Sequence, residues 1–469
     1  MVGAGAAGLG AALELQARGH DVLVIESADR PGGVMRTDHV GGYVVERGPN
    51  TFQVKAPMLT SLKRDHLESG LLMASPASRL RCVYHEGRLL PVPMSPVALV
   101  RTPLLSGRAK GRLLLEPFVR RGDGADESVA EFAGRRLGPE VVKNLVGPFL
   151  TGVYAGDENE LGAEAVFGSL VGFERRAGSI ITGALAGLFG PRGPKGLRGI
   201  HSGPKGLGPF ARTLAERLLE PPALGTRVSG IRREGDEWYV SVSSAEGESR
   251  LRTRRLVVAA PAGAAAEIVR AVSPTVAEEL EAIRYAPIIS AAVGVKPEDV
   301  RSPIEGFGFL VPRAAEIRLL GCLFMSQLFP GRAPAGHELL QCMIGGLRWP
   351  EAVDLPDDVI AEQLRADLDR VLGLRGDAEI VTLTRYAAAV AQPGRDHLRR
   401  VERIRAQLRE QPGLALAGSY LAGVSVPDSF ACGAAAAREV LAATSEAPTE
   451  RSSTNCHRRS PRPPVSAQS

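Results

Sequence analysis

The chain has 469 residues, of which 44% are apolar and 23% charged, with a formal net charge of +5. That is an ordinary globular composition, long enough for two or three domains, and it excludes a disordered or collagenous chain. There is no uncharged apolar run of about 18 residues, so no transmembrane helix is expected. The five cysteines (Cys82, Cys322, Cys342, Cys432, Cys456) have no CxxC spacing and the eight histidines form no HxxxH or HExxH pair. A disulfide framework and a metal site are therefore not expected, and the thiols read as reduced and intracellular.

The first element is a turn, Gly3-Ala4-Gly5-Ala6-Ala7-Gly8, with only Met1 and Val2 before it. Gly3 permits the tight turn, Gly5 lets the backbone approach a pyrophosphate, and Gly8 brings helix close to strand. Leu9, Ala12, Leu13 and Gln16-Ala17 keep helical spacing, so the helix N-terminus aims its free N–H groups at phosphate. Val22–Ile25 reads as the second strand, closed by Glu26, whose carboxylate can accept both ribose hydroxyls of an adenosine and would repel a 2′-phosphate. Arg30-Pro31-Gly32-Gly33 allows a second close backbone approach, as a flavin dinucleotide needs. The reading is FAD, held by Gly3, Gly5, Ala6, Ala7, Gly8, Glu26, Ser27, Arg30, Gly32 and Gly33; a Gly/Ala-rich turn with no ligand is the plain alternative. A Rossmann first strand supplies about five or six residues before the turn, so an upstream start is expected.

Beyond Pro91–Pro96 the pattern to residue 195 is helical. Arg227–Ile231 and Trp238–Val242 alternate apolar and polar residues like a half-buried hairpin, and Arg255–Pro261 reads as a buried parallel strand. Ile288–Val295, Gly306–Pro312, Leu339–Gly346 and Ile380–Thr384 read as a second sheet and Val359–Leu374 as an amphipathic helix. Leu414–Gly418 reads as a strand and Ala431–Leu441 as a helix. The fold class is α/β: a discontinuous Rossmann-like FAD-binding domain (1–72, 196–276, 410–445), a sheet-based substrate domain (73–98, 277–409) and a helical domain (99–195). Residues 446–469, rich in Ser, Thr, Arg and Pro, read as a disordered tail.

Later motifs carry a more specific resemblance. Leu145–Asp157, containing Pro148-Phe149-Leu150-Thr151-Gly152-Val153-Tyr154-Ala155-Gly156-Asp157, closely resembles a segment of the oxygen-dependent protoporphyrinogen oxidases. Glu46-Arg47-Gly48-Pro49-Asn50, Gly178-Ser179-Ile180-Ile181, Tyr285-Ala286-Pro287, Gly306–Pro312, Leu328–Pro334 and Met343–Gly346 are similar to further pieces of that family, in order. The match runs to about residue 443.

The resemblance implies site roles. Arg81 takes the place of an arginine that pairs with a substrate propionate, a pairing that suits a bidentate guanidinium. Leu310, Leu323 and Met343 match apolar positions that sandwich the tetrapyrrole, and Thr151 and Gly152 match positions lining the pocket beside the flavin. Gly48, Pro49, Asn50, Gly418, Val424, Ser425 and Val426 match flavin-embracing positions, and Val228 one whose backbone contacts adenine. A helix starting near Ala431 would aim its N-terminus at the flavin pyrimidine. Departures are Ser425 where many members have Gly, and Ala391-Gln392-Pro393-Gly394-Arg395-Asp396-His397 in place of P-Q-Y-x-x-G-H.

The implied activity is a six-electron oxidation of protoporphyrinogen IX in three rounds. Each round passes a hydride from a bridge carbon to flavin N5 while a pyrrole nitrogen sheds a proton; dioxygen reoxidises the flavin and yields peroxide. No Asp, Glu or His in the matched pocket motifs serves as base. Coproporphyrinogen III as substrate, another amine oxidase or desaturase, and an inactive FAD-binding homologue stay open. So does a homodimer; no nucleic acid is expected. Arg101–Arg121 holds six basic residues against Glu116 alone, interleaved with Leu104, Leu105, Leu113, Leu114 and Leu115. A cytoplasmic protein touching the inner face of an anionic membrane is one reading of that segment, and a solvated basic face is the other.

Overall fold

The structure, a computed structural model, describes residues 1–122, 126–188 and 194–445, and the expected tail 446–469 lies outside the described residues. The elements used below are helix α1 (Ala6–Ala17), strands β1 (Arg81–His85) and β2 (Arg88–Pro91), and helix α2 (Gly147–Tyr154). They continue with strands β3 (Tyr285–Val295), β4 (Gly308–Leu310), β5 (Leu319–Phe324), β6 (Glu338–Gly345) and β7 (Glu379–Ala391), then helices α3 (His397–Leu408) and α4 (Val426–Ser445).

The nucleotide half is built on parallel pairing. Leu256–Val258 runs parallel with Leu414–Leu416, and Val2 bridges in parallel to both Val258 and Ile25. The strand expected over Val22–Ile25 is reduced to one bridging residue, Ile25, because its neighbours on either side, Val2 and Ala223, each offer a single partner. Helix α1 is buried from Ala7 to Leu15. It packs against α4 at backbone contact: a Cβ on Gly433 would fall 1.8 Å from the Ala7 carbonyl oxygen, and one on Gly10 2.3 Å from that of Phe430. The abundance of Gly and Ala in both helices is what permits this approach.

The expected hairpin forms as Arg227–Glu234 against Glu237–Ser244, with a third strand, Gly247–Thr253, on its open edge. Helix α4 begins at Val426, five residues before the expected start. Ser425 caps it, its Oγ accepting from the Asp428 amide at 3.2 Å and donating to Asp428 Oδ2 at 2.6 Å. A Ser three residues before an acid is a helix-start signal.

The second sheet has seven strands in the order β7-β3-β6-β5-β4-β1-β2. Leu310 lies opposite Val83 and Gly321, Met343 opposite Gly321 and Ser290, and Leu323 opposite Gln341. Side chains alternate along a strand, so Arg81, Leu310, Leu323, Gln341, Met343 and Ser290 share one face. Phe309, Cys322, Cys342 and Ala291 share the other, which closes a core with Leu364 and Leu368 of the expected amphipathic helix, Asp357–Leu372.

In the helical region, Ser179-Ile180-Ile181 opens the helix Ile180–Leu188. Buried Glu116 accepts from the Ser179 hydroxyl and from the Ile180 and Ile181 amides at 2.9 and 3.2 Å, and pairs with fully buried Arg136. Burial opposes its ionisation, but Ser179, the two amides and Arg136 outweigh burial and hold its pKa below the ordinary carboxylate value.

Candidate active site

The cradle is made by three loops in contact. A Cβ on Gly3 would fall 2.6 Å from the Ala259 carbonyl oxygen, and one on Gly8 1.8 Å from that of Gly3, whereas one on Gly5 would meet nothing within 4 Å. The turn is therefore packed at both ends and open in the middle. No side chain caps α1, which leaves the amides of Ala6, Ala7 and Gly8 directed at that opening. A Cβ on Gly33 would sit 3.2 Å from Gly5 Cα, and one on Gly48 2.1 Å from the Val34 carbonyl oxygen. This brings Gly32-Gly33 and Gly48-Pro49-Asn50 to the same turn. Asn50 Oδ1 is buried without a partner. An anion-directed turn beside an unsatisfied buried acceptor fits a flavin dinucleotide.

Glu26 is buried at the turn, its Oε2 accepting from the Ala4 amide at 2.7 Å and its Oε1 from the Ala28 amide at 2.8 Å. Ser27 Oγ lies 3.3 Å from Oε1. A carboxylate has about four lone-pair sites, so capacity for ribose hydroxyls remains. Arg30 is turned into its own loop, donating to the carbonyls of Gly33 at 2.9 Å and Met35 at 3.2 Å; it braces Gly32-Gly33. Val228 is buried in the hairpin opposite Val242. Gly418 closes the strand Leu414–Leu416, and Val424-Ser425-Val426 lead into α4.

On the sheet side, α2 lies over β4. Thr151 is buried, and a Cβ on Gly152 would come within 2.5 Å of Leu310 Cδ2. Gly152 itself is exposed, and a side chain there would meet the tip of Leu310, because α2 rests on the sheet at that point. Leu310, Leu323 and Met343 are half-buried on the shared face. Arg81 is exposed at the edge of that face, its guanidinium 4.9 Å from the centre of the Phe307 ring, with no carboxylate partner among the described residues. The apolar side chains of Leu310, Leu323 and Met343, with Arg81 at the edge of their face, suit a flat, hydrophobic acid.

The cradle and sheet are tied by a buried pair absent from the sequence reading. Arg332 Nη1 lies 3.3 Å from Glu46 Oε1, and Arg332 Nη2 donates to Ser202 Oγ and the Gly203 carbonyl at 3.0 and 2.9 Å. Glu46 also accepts from Thr37 Oγ1 at 2.7 Å and the Leu207 amide at 3.0 Å. Burial raises its pKa to about 7 although Arg332, Thr37 and Leu207 all pull it down. Both residues stand in quoted motifs, but only the fold brings them together. A second omission is Gln341, whose Nε2 donates to Ser290 Oγ at 2.9 Å beside Met343.

Residues 6–441 match the model of the flavin-containing amine oxidoreductases. The chain belongs to this family. It is 32% identical over 453 residues to the chloroplastic protoporphyrinogen oxidase of Nicotiana tabacum, covering 91% of this chain and 82% of the relative. It is 26% identical to the coproporphyrinogen III oxidase of Bacillus subtilis (strain 168), covering 94% and 97%. A crystal structure from Exiguobacterium sp. 255-15 superimposes with a TM-score of 0.77 at 23% identity, covering 94% and 97%. Cyclohexylamine oxidase from Brevibacterium oxydans IH-35A does so with 0.66 at 18%, covering 95% and 98%. The protein is an FAD-dependent oxidoreductase of α/β fold, homologous to protoporphyrinogen oxidases. Among the described residues no helix is long and apolar enough to cross a membrane.

Proposed function

We propose that this protein oxidises protoporphyrinogen IX to protoporphyrin IX with dioxygen as acceptor. The observation that carries the reading is the single sheet face on which Arg81, Leu310, Leu323 and Met343 stand, with α2 laid over it. Arg81 grips a propionate by paired N–H···O bonds. Leu310, Leu323 and Met343 hold the macrocycle flat and keep water away, Met343 adapting through its polarisable thioether. Thr151 and Gly152 on α2 set the depth to which the ring enters. Bound FAD, held by the cradle of Gly3–Gly8, Glu26, Gly32-Gly33 and Gly48–Asn50, supplies the two-electron acceptor that dioxygen regenerates.

Relatives named for protoporphyrinogen at 32% and 31% identity support the first substrate, while relatives named for coproporphyrinogen III at 26% and 30% identity make the second the reading the assay must separate. A side-by-side aerobic assay tests it: protoporphyrinogen IX is expected to give porphyrin fluorescence and peroxide faster than coproporphyrinogen III. Oxidation of coproporphyrinogen III alone would reverse the substrate assignment, and a polyamine as the only substrate would end it.

A membrane-facing role is favoured by residues 94–118. Met94, Val97, Val100, Leu114, Leu115 and Phe118 are 58–85% exposed. Glu116 is withdrawn into the core with Arg136, which leaves the surface of Arg101–Arg121 basic. Leu104 and Leu105, expected on that surface, are instead buried. We infer that this face rests on the anionic inner face of the membrane, with the protein on the cytoplasmic side. Flotation with phosphatidylglycerol vesicles but not with phosphatidylcholine vesicles is expected, and flotation with neither would refute it.

A further inference from the structure

Each two-electron round of the proposed oxidation leaves one pyrrole proton to be lost, yet Gly152, Leu310, Leu323 and Met343 carry no acid or base. A separate cavity of about 120 Å³ lies between Tyr154 at the end of α2, Ala165 of the helix Ala163–Ala177, His397 and Leu398 at the start of α3, and Ser419 and Val424 of the flavin-embracing segment. That is room for several water molecules. It touches both the helix laid over the substrate face and the segment that leads into α4. Leu398, on one wall, is exposed to solvent.

His397 is the buried imidazole of this cavity, which Tyr154 and Tyr420 also line. The Tyr420 backbone beside the ring pulls its pKa up, and a neutral imidazole keeps one nitrogen as an acceptor. Burial, the largest effect, lowers its pKa below the ordinary 6.5, so the ring is neutral at pH 7. It is faced by Tyr154 from α2 and Tyr420 from the flavin-embracing segment. From its own helix come Asp396 and Arg400, and Arg400 is also tied to Glu279 at 2.9 Å.

We infer that this cavity is a water-filled proton exit and that His397 takes up the pyrrole proton through it and passes it to solvent. The N–H bond breaks as the bridge carbon gives up its hydride, the N–H electron pair stays in the ring system, and the proton moves to water and then to the free imidazole nitrogen. His397 acts through that water and is a positioning residue. The inference rests on the porphyrinogen-oxidase reading.

The test uses FAD-loaded protein mixed anaerobically with protoporphyrinogen IX, following flavin bleaching. The parent is expected to show an acid-side fall in its pH profile, and His397→Ala to slow bleaching about tenfold or more, to lose that fall, and to recover rate with added imidazole. Ala165→Leu, which narrows the cavity without touching His397, is expected to slow bleaching without imidazole rescue and carries the test if His397→Ala loses flavin. Parent-like bleaching in both variants overturns the inference, as does a slow His397→Ala protein that keeps the acid limb and ignores imidazole. A parent protein that holds FAD but oxidises no porphyrinogen counts against the proposed function instead.

Discussion

Replacing Arg332 by Met keeps the length and apolar stem of the side chain but strips Glu46 of its counter-charge. Both residues are almost fully buried, so Glu46 is left with Thr37 Oγ1 and the Leu207 amide alone. Breaking a buried pair from one side costs about 3–5 kcal/mol. Glu46 has an escape, because its pKa already stands at about 7 and rises further once Arg332 is gone. At pH 6 the carboxyl takes a proton and sheds the charge penalty; at pH 8 it must stay ionised or draw a proton uphill. At about 1.4 kcal/mol per pH unit, and with the parent carboxyl itself titrating midway through that window, the loss at pH 8 exceeds that at pH 6 by roughly 1 kcal/mol. For a domain of 150–250 residues, about 2–4 °C per kcal/mol turns the pH 8 loss into a fall of roughly 6–20 °C in the thermal midpoint. Circular dichroism melts of the FAD-loaded protein at both pH values measure it, with Glu46→Gln/Arg332→Met expected to recover part of the loss. An equal loss at pH 6 and pH 8, or one below about 1 kcal/mol at pH 8, would refute the reasoning.

The same group shapes the parent protein. Glu46 binds its proton near pH 7 when folded but near 4.5 when unfolded, so its contribution to stability is fully present below pH 4.5 and is lost as pH rises through 7; Glu46→Gln should flatten that part of the midpoint-against-pH curve. Arg81→Ala should raise KM for protoporphyrinogen more than it lowers kcat, costing roughly 1–3 kcal/mol in kcat/KM, and steady-state kinetics unchanged from the parent would make Arg81 a surface charge. Ser425→Ala removes the cap of α4 and should cost about 1 kcal/mol with earlier flavin release on heating, whereas an unaltered flavin-release midpoint would deny the cap any role.

Much of the fold was legible where periodicity and turn chemistry coincide. The glycine turn, the hairpin around Trp238 and the amphipathic helix Asp357–Leu372 all obey local rules. Val22–Ile25 looked like a strand from its apolar run, but laddering depends on neighbours that the run does not reveal. The start of α4 was misplaced because Val424–Pro427 reads as apolar loop, although Ser425 and Asp428 carry a capping signal. Of the candidate site, the resemblance named Leu310, Leu323 and Met343, and only register puts them on one face. A glycine in sequence does not say what its missing side chain would meet, and only the structure puts Leu310 against Gly152. Glu46 with Arg332, 286 residues apart, and Glu116 with Arg136 were illegible for a plain reason: each charge looks like surface until the fold supplies its partner.

The central claim is that the cradle and the apolar face together perform porphyrinogen oxidation. Anaerobic titration of the FAD-loaded protein with protoporphyrinogen IX tests it most directly. Stepwise bleaching of the flavin with one porphyrin formed for every three flavins reduced, and full recovery of colour with peroxide on admitting air, is the predicted result. A flavin that keeps its colour through excess protoporphyrinogen IX and coproporphyrinogen III alike would contradict it.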